Sequence, residues 1–173
     1  MIGKVLAVVA GMTGAAGVSQ FPEYSQQYTQ RLAGAVDELQ RIVDGFDQDA
    51  DALGLSREAA LVSLAQGGDV GVARAERVAQ TIARHQRLSG DLGALRQAGP
   101  FMRAYQAGRF SDGDIARAAW RDFRPAVPVS FEGFVFSAVG FVCGLIMMWA
   151  IWATLRLPFR MRSRKRADLG GSG

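Results

Sequence analysis

The most chemical-looking letters in the chain are four carboxylates, Asp47, Asp49, Asp51 and Glu58, which occupy positions one, three, five and twelve of a calcium-loop pattern. Side-chain oxygens at that spacing can enclose Ca²⁺ when the loop turns sharply at a glycine in position six. Here position six is Ala52 and the nearest glycine, Gly54, falls two places late, so the letters are read as an acidic turn between two helices and no metal is expected. With one His (His85) and one Cys (Cys143) far apart, a zinc site cannot be assembled within one chain. His85, alone at a helix seam, is read as a packed residue rather than a pH sensor or ligand. GxxxxGK does not occur, and the glycines are scattered through helical sequence, so neither a phosphate loop nor a nucleophile elbow is expected. No catalytic residue and no cofactor is assigned.

The elements that would position any such chemistry are dominated by one stretch. Gly133 to Leu155 carries no charge and, at about 1.5 Å per residue, reaches roughly 34 Å, enough to cross a hydrocarbon core of about 30 Å. Ser130 and Glu132 suit the helix start, where free amides donate to a short side-chain oxygen and favour a carboxylate nearby. Trp149 and Trp152 lie near its far end, and Arg156, Arg160, Arg162, Arg164, Lys165 and Arg166 follow, which marks that end as cytoplasmic. Those six cations are assigned to lipid headgroups, although enforcing topology alone would explain them. The reading makes 130–157 a transmembrane helix and 158–169 a basic cytoplasmic tail, with Gly170 to Gly173 an appended linker.

Residues 1–21 are a second, shorter apolar block of small residues behind Lys4. That grammar fits a cleaved signal peptide as well as a membrane helix; because the helical pattern runs past Ser19, a retained first span is expected. Both blocks carry a face of small side chains that suits close helix packing in lipid: Ala7, Gly11 and Ala15 in the first, and Gly133, Ser137, Gly140 and Gly144 in the second. The faces would pack on each other or across subunits. Neither span carries a charge beyond Lys4, so the usual sign of an ion pathway is missing.

With two spans and a cytoplasmic tail, both termini are cytoplasmic and the segment between lies outside. There thirteen Arg nearly balance fourteen Asp and Glu over residues 23–124, so the +4 net charge belongs to the tail and gives no reason to expect nucleic-acid binding. Tyr28, Leu32, Ala35, Leu39, Ile42, Phe46 and Leu53 follow heptad-like steps broken at Asp49, predicting a coiled-coil-like helix. Ser56 caps a short helix, Gly67-Gly68 breaks it, and Val78, Ile82, His85, Leu88, Leu92 and Leu95 form a returning stripe. The two stripes predict an antiparallel hairpin over 22–99. Residues 100–129 read as short interfacial helices, with Phe101, Tyr105, Phe110, Trp120 and Phe123 among arginines; a small aromatic core against the hairpin base is the alternative.

The block Ser19-Gln20-Phe21-Pro22-Glu23-Tyr24, Gln26-Gln27-Tyr28, Gln30-Arg31-Leu32, Gly34 and Asp37-Glu38-Leu39 resembles an uncharacterised proteobacterial family of small two-span membrane proteins. The likeness is sharp over residues 19–44 and architectural elsewhere. It implies a bacterial inner membrane, with the middle segment periplasmic, and supplies no activity. In the same block Gln20, Glu23, Gln27 and Gln30, beside Arg31, recur at helical steps as a polar stripe suited to contacts between helices or subunits.

The fold expected is an all-α membrane protein, two transmembrane helices flanking a periplasmic helical hairpin. The function expected is non-enzymatic: a self-assembling scaffold, or an accessory subunit of a larger membrane complex, with lipid, other copies of itself or that complex as partners. The alternative is a homo-oligomeric channel or transport-associated subunit with the polar stripe at its mouth.

Overall fold

The computed structural model describes residues 2–125, 127 and 129–169, with side chains described only between Gly3 and Leu155. Among the described residues the chain is helical and contains no strand. The elements are α1 (Ile2–Val18), α2 (Phe21–Ala52), α3 (Arg57–Ala65), α4 (Gly68–Gln97), α5 (Pro100–Tyr105), a 3-10 turn (Ala107–Arg109), α6 (Gly113–Asp122) and α7 (Phe131–Leu169). They belong to two units, one made of residues 1–23 with 125–173, the other of 24–124.

In the first unit α1 and α7 lie side by side. Gly14 meets Gly140, Ala10 meets Gly144 and Gly3 meets Trp152, so one helix descends as the other rises. Ser130 starts α7 as its sequence suggests: its hydroxyl accepts the Gly133 N–H at 3.1 Å and its carbonyl the Phe134 N–H at 3.0 Å. Phe131 to Leu155 and the helical sequence from Gly3 are long and apolar enough to cross a membrane. Only 11% of the most apolar window of each is buried, the reverse of a core helix in a soluble protein. The helix continues through the basic segment to Leu169; the side chains of Arg156, Arg160, Arg162, Arg164, Lys165 and Arg166, and all of 170–173, lie outside the described residues.

The second unit is built on α2, α4 and α6. Its core joins Tyr28, Leu32 and Val36 of α2, Leu88, Leu92 and Leu95 of α4, and Ile115 and Ala119 of α6. At the other end, residues 41–53 of α2, with α3 and residues 74–82 of α4, line a cavity of about 520 Å³. α2 and α4 therefore pass each other in opposite directions. Ser56 caps α3 by accepting the Ala59 N–H at 3.2 Å, and the turn into α4 is made at Gly68, whose φ of +72° is natural only to glycine.

The buried stripe of α2 departs from the heptad reading. It runs Ser25, Tyr28, Thr29, Leu32, Val36, Val43 and Ala50, while Ile42 and Leu53 are exposed. Ser25, Thr29, Leu32, Val36, Val43 and Ala50, with half-buried Leu39 and Phe46 between them, still step by four and three, so the seam keeps its heptad period in a frame where Val36, Val43 and Ala50 take the places read as Ala35, Ile42 and Asp49. The Asp47–Asp51 run likewise lies inside α2, where residues two apart point to different sides. Asp47 is held by Arg57 at 2.5 and 2.7 Å, and no three metal-ligating side chains converge among the described residues.

Candidate functional site

Two places in the fold concentrate specific side-chain or backbone relationships, and each lies within one unit.

The first is the contact between α1 and α7. Gly133, Gly140 and Gly144 are buried and Ser137 half-buried on one stripe of α7, with the Ser137 hydroxyl donating to the Gly133 carbonyl at 2.8 Å. A Cβ on Gly144 would lie 2.8 Å from the carbonyl carbon of Ala10 and 3.0 Å from the Gly11 Cα, so backbone meets backbone here. On α1 the buried face contains Gly11, with Ala7 and Ala15 half-buried beside it. The closest approach, however, is made by Ala10 and Gly14, which the sequence stripe omitted. α1 has small residues on nearly every side, so spacing alone could not choose among them; Gly11 faces the Phe141 ring instead.

The second is the seating of α6 against α2 and α4. Tyr28 is fully buried, and its hydroxyl accepts the Asp112 N–H at 3.4 Å. Asp112 caps α6, accepting the Asp114 and Ile115 N–H groups at 3.2 Å each, and also accepts Arg84 at 2.9 and 3.2 Å. Burial alone would raise the pKa of Asp112; the Ile115 amide, Arg84 and the Asp114 amide together outweigh it and hold the carboxyl below its usual range. Burial raises the Tyr28 phenol, keeping it neutral, as it does that of Tyr24. Arg109 pairs with Asp91 at 2.9 Å and Arg103 donates to the Leu95 carbonyl at 3.0 Å, fixing the segment between α4 and α6.

Around this seat lies an aromatic cluster. Tyr24 meets Trp120 edge-on at 5.9 Å and Phe123 at 6.2 Å, Trp120 stacks on Phe123 at 5.7 Å, and Tyr28 meets Phe110 at 4.6 Å. Ile115 and Ala119 on one face of α6 join the core, while Trp120 belongs to the aromatic cluster yet stays mostly exposed, as does Arg117.

The residues of the polar stripe are divided between the two units. Gln20 and Glu23 fall in the first unit, half-buried, with Gln20 donating to the Ser19 hydroxyl at 3.1 Å. In the second unit Gln27 is half-buried and Gln30 exposed. Arg31 pairs within the chain with Asp122 on α6, a relationship that the stripe reading did not foresee. His85 is half-buried against the Ser89 hydroxyl at 3.0 Å.

A pair of long apolar helices joined through glycine, carrying a helical unit held by its own ion pairs, defines a class of small all-α proteins with two candidate membrane helices. Within that class the chain belongs to the DUF2937 family of proteins of unknown function, whose family model matches residues 2–161. No curated protein and no solved structure matches the chain.

Proposed function

We propose that the chain is a non-enzymatic, two-span protein of a bacterial inner membrane that holds its middle unit in the periplasm as an accessory subunit or scaffold of a larger membrane complex. The observation that carries this reading is the backbone contact of Gly14 with Gly140 and of Ala10 with Gly144. In lipid, where apolar side chains gain nothing by leaving solvent, such close packing is what holds two helices together. It turns the two helices into one self-contained anchor. Association with other copies or partners then falls to the outer faces of the pair and to the middle unit, which exposes Leu53, Val62 and Val70 around α3.

Orientation follows from the cations after Leu155: six Lys and Arg so close to a span favour a cytoplasmic C-terminus, and with two spans the N-terminus shares that side.

Extraction from the native membrane in a mild detergent, followed by native mass measurement, tests the role. Fixed co-purifying proteins would support an accessory subunit, and a discrete multiple of the 18.6 kDa chain would support a self-assembled scaffold. A lone monomer would contradict both.

A further inference from the structure

α6 presents two unlike faces. Ile115 and Ala119 are buried in the core of its unit, whereas Trp120 is 68% exposed and shares the outer face with Arg117 and Arg121; Arg124, also exposed, lies just past the end of the helix at Asp122. Arg117 is paired with Asp114, but Arg121 and Arg124 carry no ion pair among the described residues. Leaving a tryptophan in water wastes its apolar ring, and adding two unpaired guanidinium groups beside it makes the face both apolar and cationic. That combination matches one environment, the headgroup layer, where indole rings settle and cations meet phosphate.

Trp120 is also held rigidly, stacked on Phe123 at 5.7 Å and set edge-on against Tyr24 at 5.9 Å. Tyr24 and Arg124 are the first and last residues of the unit. From Arg124 to the start of α7 at Phe131 the chain is seven residues long and reaches at most about 25 Å.

We propose that the α6 face of Arg117, Trp120 and Arg121, with Arg124 just beyond the helix, seats on the anionic phospholipid headgroups of the membrane that the spans cross. The inference rests on the membrane reading given under the proposed function. Its occupant is a bilayer surface rather than a soluble phosphate, because the exposed indole adds an apolar contact that a free anion would not use. Each unpaired arginine strengthens the seating by about fivefold in the ratio of docked to undocked face, and salt weakens it.

Three single-tryptophan proteins, retaining Trp120, Trp149 or Trp152 with Phe at the other two positions, test this in full-chain proteoliposomes of phosphatidylcholine with and without phosphatidylglycerol. The expected result is that Trp120 is quenched by headgroup-level spin labels and shielded from iodide when phosphatidylglycerol is present. R121Q and R124Q should each reduce that shielding, while Trp149 is quenched by acyl-chain labels throughout. Trp120 open to iodide in every vesicle, with Trp149 still quenched from the acyl chains, would overturn the proposal and leave the spans standing. Trp120 shielded regardless of lipid charge and of both arginines would also overturn it, pointing to a protein contact. If Trp149 escapes acyl-chain quenching, the membrane reading itself fails.

Discussion

A Cβ atom on Gly140 would lie 2.8 Å from the carbonyl carbon of Gly14 and closer still to its oxygen. No rotamer relieves such a clash, because both parties are backbone. G140L should therefore force α1 and α7 apart, at a cost on the order of 1–3 kcal/mol for overpacking. Spin labels placed on outward-facing positions of the two helices should report a longer, broader distance in G140L and an unchanged one in G17A, since Gly17 has open space where its Cβ would be.

Asp112 joins three elements: its carboxylate caps α6 and accepts from Arg84 of α4, and its backbone N–H donates to the Tyr28 hydroxyl of α2. D112A should destabilise the middle unit by about 1–2 kcal/mol, roughly 1 from the lost cap and the rest from the lost hydrogen bonds of the half-exposed Arg84. D112N, which keeps a capping oxygen, should lose less, near 1 kcal/mol. Thermal unfolding of the detergent-solubilised chain, followed by near-ultraviolet circular dichroism, checks the order.

The carboxyls of Asp47 and Asp112 both titrate below the ordinary 3.8 in the folded chain, Asp47 through the Arg57 hydrogen bonds and Asp112 through hydrogen bonds that outweigh its burial. Each contribution to stability is then complete above the unfolded-state pKa and is lost as pH falls through the lower folded value. Stability should be level with respect to these groups from neutral pH to about pH 5 and decline below about pH 4. The acid decline should be shallower in D112N, measured relative to its own value at pH 7.

Gly34, Gly90 and Gly93 sit on exposed positions of α2 and α4 with nothing near a built Cβ. Glycine there costs helix stability without a packing return, so G34A, G90A and G93A should each stabilise by about 0.5–1 kcal/mol. Denaturant midpoints, with an unchanged slope, would show it.

How far the sequence led depends on the kind of signal. The α7 glycine stripe was legible because Gly140 and Gly144 stand among large residues, whereas α1 offered Ala7, Ala10, Gly11, Gly14, Ala15, Ala16 and Gly17 without preference. The break at Gly67-Gly68 and the Ser56 cap were legible because they are local. The α4 stripe was read closely, with Ile82, Leu88, Leu92 and Leu95 buried. On α2 the heptad period was legible but its frame was not: Ile42 and Leu53 are exposed, and Val43 and Ala50 hold the packed places. The pairs Arg31–Asp122, Arg84–Asp112 and Tyr28–Asp112 join residues from distant parts of the chain, and no local pattern announces them. Once the fold is known, Asp112 before a helix start is the one sign that could have been followed.

The proposed topology puts the middle unit on one side of the membrane and both ends on the other. The most direct test is accessibility of single cysteines at positions 34, 90 and 168, in a C143A chain, to a membrane-impermeant maleimide in intact spheroplasts. Labelling at 34 and 90, with 168 protected until the membrane is permeabilised, is the predicted result. Labelling at 168 with 34 and 90 protected would invert the topology, and the same accessibility at all three positions would contradict the two-span arrangement.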